Sequence, residues 1–174
     1  YLTGDYLAEL TMLILGKDQL KDPTLGYART FVAQVADSLA LALERGVKIV
    51  ANAGGLNPAG LAAKLEEVAS GLGLTPKIAW IDGDNLAPRA AELGLSGALT
   101  ANAYLGAFGI ARALTEGADI VVTGRVTDAW WSSARRSPTT AGRRPRTTSW
   151  PAPWSRATSS SAAPRPPAAT SPAS

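Results

Sequence analysis

With neither His nor Cys among its 174 residues, this chain leaves acid–base chemistry to carboxylates and a phenol: Asp5, Glu9, Asp82, Asp84, Asp128 and Tyr104. The same absences exclude Cys nucleophiles, Ser–His–Asp triads, disulfides and Cys/His zinc sites. Asp82 and Asp128 are the candidate catalytic carboxylates. Arg125, behind Thr123 and Gly124, carries a planar fork that suits a carboxylate or phosphate; its other reading is a salt bridge to Asp128 or Asp82.

The run Asn52-Ala53-Gly54-Gly55-Leu56-Asn57 is a candidate ligand loop. Glycines admit a ligand to backbone N–H groups, and Asn57-Pro58 opens a helix whose positive end favours an anion. The run is neither a P-loop nor a G-x-G-x-x-G turn, and a tight strand–helix connection capped by Asn57 is the alternative. Asp82-x-Asp84 with Asn85 could hold Mg²⁺ or a ligand hydroxyl; Asp-Gly-Asp-Asn is also ideal turn chemistry, and no metal set is assigned. Asn102 and Tyr104 are read either as ligand contacts or as structural hydrogen-bonding groups, and Trp80 as a core residue.

The elements that must position these residues alternate strand, loop and helix. Residues 1–4 read as a strand end leading into a helix opened by Asp5, with Leu7, Leu10 and Ile14 at helical spacing and Glu9 in its solvated first turn. Tyr27, Phe31, Val35 and Leu39 predict a helix over 24–45, stopped by Gly46. Residues 47–51 form an apolar strand, and Leu61, Leu65, Val68 and Leu72 mark a helix ending at Gly73. Strands follow at 77–81, 99–102 and 119–123, with helices near 86–94 and 105–116. This alternation predicts a doubly wound, mostly parallel α/β sheet with helices on both faces. Ligands of such sheets lie outside the strands' carboxyl ends, and the polar clusters all fall there while the opposite connections are plain turns.

Composition changes abruptly at residue 130. The last 45 residues use only Trp, Ser, Ala, Arg, Pro, Thr and Gly. Without an aliphatic residue larger than Ala, they predict a disordered, low-complexity tail. All 14 acidic residues and ten of the 17 basic ones precede residue 130, so the net +3 divides into −4 before the break and +7 after it. No RRM, zinc-finger or helix-turn-helix pattern accompanies the tail arginines, so no nucleic-acid partner is assigned. No apolar run approaches 18 residues, no signal peptide is visible, and a cytoplasmic location without a membrane partner is expected.

Four stretches in order carry a family resemblance: residues 4–9 (GDYLAE), NAGGLNPAGLA from Asn52, ANAYLGA from Ala101 and ADIVVTGRVTDA from Ala118. Together they resemble the acyclic terpene utilisation (AtuA-like) family over residues 1–129. The resemblance implies the middle of that family's N-terminal α/β domain, lacking its first strand and glycine-rich turn. It implies bacterial catabolism of acyclic terpenoids such as citronellol and geraniol, a route through acyl-CoA thioesters and a biotin-dependent carboxylation. An acyl-CoA or branched carboxylate ligand is therefore expected, with a homo-oligomer or an acyl-CoA carboxylase as protein partner. The alternatives are a non-catalytic binding or assembly subunit and an inactive truncated product. The resemblance supplies neither a reaction nor a cofactor. Shifting the tail's reading frame by one base permits Gly-His, Glu-Cys-Gly and Gly-Gly-Asn elements like the family's continuation. Residues 130–174 are accordingly read as an out-of-frame translation, the alternative being a natural Pro/Ser/Ala/Arg linker.

Overall fold

The computed structural model describes residues 1–127, so Asp128 and the 130–174 tail, with the expectations placed on them, lie outside the described residues. Four parallel strands form one sheet in the order β1-β2-β4-β3. They are β1 (Leu2–Gly4), β2 (Ile49–Ala51), β3 (Ile78–Ile81) and β4 (Ile120–Thr123). The helices are α1 (Glu9–Lys21), α2 (Arg29–Glu44), α3 (Pro58–Gly71) and α4 (Phe108–Thr115).

Register explains the two cores. Ile49 pairs with Ile120, Ile120 with Ile78, and Val122 with Ala51 and Trp80. Alternate residues of each strand therefore project to one face, where Ile49, Ala51, Ile120 and Val122 meet Phe31, Val35 and Leu39 of α2 and Leu61 and Leu65 of α3. Val50, Ala79 and Val121 project to the other face, against Ile110 and Ala113 of α4. Trp80 packs half-buried against the first core. The two-face covering follows from handedness. The chain moves from β1 to β2 and from β2 to β3 in one direction across the sheet, then back from β3 to β4. Right-handed crossovers put α2 and α3 on one face and the returning α4 on the other.

Several elements differ from their sequence expectations. The second helix begins at Arg29 rather than 24, because Thr24 bonds the Asp22 carboxylate through its N–H and its hydroxyl, and Gly26 takes φ 104°. The first helix begins at Glu9, and Asp5 does not cap it. Leu7 is buried ahead of that helix, whereas Leu10 and Ile14 point outward and Met12 and Leu15 face inward. The helix expected at 86–94 shrinks to a 3₁₀ turn, Ala87–Arg89, with Pro88 inside it. The strand expected at 99–102 is replaced by a single antiparallel bridge between Asn102 and Asn85. The last helix starts at Phe108 rather than 105.

Candidate functional site at the carboxyl edge of the sheet

Because every strand is parallel, the exits of β1, β2, β3 and β4 share one edge. Asn52, Asp82 and Thr123 stand there, and the loop after the 3₁₀ turn returns Asn102 to the same edge through its bond to Asp84. The edge holds two polar clusters.

The first cluster ties β1 to β2. Asn52 is buried; its Nδ2 donates to Asp5 Oδ1 at 2.6 Å and its Oδ1 accepts from the Tyr6 N–H at 2.6 Å. Beyond it, the glycine loop is committed to the protein. The amides of Gly54, Gly55, Leu56 and Asn57 donate to the carbonyls of Thr123, Asn52, Gly26 and Gly54. A Cβ on Gly54 would meet the Thr123 carbonyl at 2.7 Å, and one on Gly55 would meet the Gly26 carbonyl at 2.6 Å. These glycines let two loops touch. Asn57 caps α3 by accepting from the Gly60 N–H at 2.9 Å, and its Nδ2 donates to the Thr24 and Leu25 carbonyls. Thr123 is fully buried, its hydroxyl donating to the Gly124 carbonyl.

The second cluster centres on Asp84 and Arg125. Gly83, at φ 100°, turns the chain after β3 so that Asp82 and Asn85 face solvent and Asp84 faces inward, 2 % exposed. Asp84 Oδ2 accepts from the Arg125 N–H at 2.8 Å and from Asn102 Nδ2 at 2.9 Å. A Cβ on Gly124 would lie 2.4 Å from both carboxylate oxygens, so only glycine leaves room for Asp84. Burial pushes the Asp84 carboxyl above the usual range; the Arg125 and Asn102 hydrogen bonds oppose this, and the Asp82 charge adds to it. Asn102 Oδ1 is buried without a partner among the described residues.

The Arg125 side chain is also buried, and it ties the 7–9 segment to Tyr104. Nη1 donates to the Leu7 carbonyl at 2.6 Å, and Nη2 donates to Glu9 Oε1 at 3.1 Å and to the Tyr104 hydroxyl. Its guanidinium carbon stands 4.6 Å from the Tyr104 ring centroid, a cation–π contact. Arg125 does not pair with Asp82; its carboxylate partner among the described residues is Glu9. The sequence offers Glu9 as one of several acid–base carboxylates or as a solvated first-turn residue, and does not pair it with Arg125. The available signal was its place in the 4–9 stretch that carries the resemblance.

Chemically, this edge offers a buried guanidinium with an exposed carboxylate, Glu9, in front of it, the buried Asp84 carboxyl behind it, and the exposed Asp82 carboxylate beside it. No group of three or more acidic residues among the described residues could hold a metal ion, and no described helix is long and apolar enough to cross a membrane. A four-stranded, all-parallel sheet with helices on both faces places the described residues in the open α/β class. Within that class the chain belongs to the acyclic terpene utilisation family. The family model described as "Acyclic terpene utilisation family protein AtuA" matches residues 1–134. No curated protein and no solved structure matches the chain.

Proposed function

We infer from its family membership that this chain takes part in acyclic terpene utilisation. We propose that the domain binds a branched acyclic acyl group, as its carboxylate or CoA thioester, at the carboxyl edge of the sheet, with Arg125 recognising the anion. One observation carries this reading: the guanidinium is buried, yet the Glu9 carboxylate it pairs with is 89 % exposed. A ligand carboxylate can replace Glu9 on Nη2 while the Leu7 carbonyl and the Tyr104 ring keep the guanidinium in place. Tyr104 and Phe108, both exposed on the segment that enters α4, offer apolar surface to the acyl chain. Asp84 acts as a positioning residue through the Arg125 amide, and Asp82 is the carboxylate free to reach a bound ligand.

The test is calorimetric titration of the full chain with 3,7-dimethyl-6-octenoate and with its CoA thioester. Glu9→Gln removes the competing carboxylate and should tighten carboxylate binding about 2- to 5-fold, the range of an exposed ion pair. Arg125→Lys, which lacks the planar fork, should weaken it about tenfold or more. Absence of binding to both ligands, or indifference to Glu9→Gln, would sink the reading.

A further inference from the structure

Helix α1 is apolar on both sides. Met12 and Leu15 pack inward with Leu7 and Leu56. On the opposite side Leu10, Leu13, Ile14 and Leu20 are 67, 41, 51 and 75 % exposed. A surface helix of a monomer keeps one apolar stripe and turns a polar face to water. Four large aliphatic side chains on one exposed face instead form a contiguous patch of the kind that marks a protein interface.

Charge on the same face selects the occupant. Flanking the outward stripe, Glu9, whose exposed carboxylate also meets Arg125, stands at the amino end, and the bases Lys17 and Lys21 stand toward the carboxyl end; the other acid of α1, Asp18, pairs with Arg29. A second α1 laid antiparallel, with the two-fold at the level of Leu15, sets Leu10 against Leu20 of the partner subunit. The same axis sets Leu13 against the stem of the partner's Lys17, and Glu9 against the partner's Lys21. Each pairing occurs twice, as a two-fold requires. A parallel arrangement would instead place Glu9 beside the partner's Glu9 and Lys21 beside the partner's Lys21. We propose that the outer face of α1 is a self-complementary surface on which a second copy of this chain docks antiparallel.

A single 13-residue helix provides an interface at the small end of the specific range, so the dimer should depend on concentration. Sedimentation velocity of the full chain from about 1 to about 200 µM should show a reversible monomer–dimer shift across that span. Leu13→Asp, at an exposed position, should abolish the dimer while the circular dichroism spectrum stays unchanged. Lys21→Glu alone should weaken association about tenfold through two repelled pairs, and Glu9→Lys combined with Lys21→Glu should restore it. A monomer at every concentration would overturn the proposal. So would association that survives Leu13→Asp, or a double charge reversal that rescues nothing, which are the outcomes expected of non-specific apolar clustering or of a different partner on this face.

Discussion

At the scale of single residues, Asp84 is a carboxylic acid taken almost wholly out of water. Its carboxyl is held above the ordinary 3.8 by burial. Between 3.8 and that raised value the folded chain binds a proton that the unfolded chain has released. Stability from this group is therefore complete below 3.8 and is lost as pH rises through the raised value. Asp84→Asn stays neutral throughout. Its denaturation midpoint should accordingly fall less than that of the unmodified chain when pH is raised from about 4 to about 7. Parallel profiles for the two proteins would show that Asp84 titrates as it does in water. The sequence marks Asp-Gly-Asp-Asn as chemically capable without saying which carboxylate turns inward. The φ of Gly83 and the missing side chain of Gly124 decide that, and both depend on β3 lying beside β4.

At the scale of elements, α2 and α3 are read readily from their spacing because each has one apolar stripe, buried in the core that the two helices form with each other and with one face of the sheet. Phe31, Val35 and Leu39 recur at helical intervals, as do Leu61 and Leu65, and all are buried. Leu61→Ala should cost about 2–5 kcal/mol, since the fully buried leucine leaves a cavity between α3 and the sheet. Ile14→Ala on α1 should change stability by about 0.5 kcal/mol or less in the monomer. Urea titration at low protein concentration measures both, and equal losses would mean that the outer face of α1 is covered within one copy. α1 misleads a periodicity argument because it has two apolar stripes. The spacing of Leu10 and Ile14 is helical, but which stripe faces the protein is set by where Leu56 and Leu99 lie. The 86–107 stretch misleads it differently: it is rich in Leu and Ala, yet its local bonds make only short turns up to Ala98, and the rest tie Leu86 to Ala101, Ala103 to Asp84 and Leu105 to Arg125.

At the scale of the whole molecule, the described residues 1–127 build a core on each face of the sheet and the clusters at its carboxyl edge. Deleting residues 130–174 should therefore leave the thermal midpoint within about 2 °C, because that stretch has no aliphatic side chain larger than Ala to bury. A fall of about 5 °C or more on deletion, measured by scanning calorimetry, would assign the tail a packing role.

The sequence by itself determined the local and periodic features. Alternating strands and helices required a parallel α/β sheet, the polar residues had to cluster at its carboxyl edge, and the GDYLAE, NAGGLNPAGLA, ANAYLGA and TGRVTDA stretches carried the family. These are legible because they rest on neighbours within a few residues along the chain. Tertiary structure alone decided the strand order β1-β2-β4-β3 and with it the face that α4 covers. It also closed the glycine loop against Thr123 and Gly26, and brought Arg125 to Leu7 and Glu9, more than a hundred residues earlier. Those contacts depend on which strands become neighbours. Local propensity is blind to that choice, which is made by the handedness of the crossovers and the burial of both sheet faces.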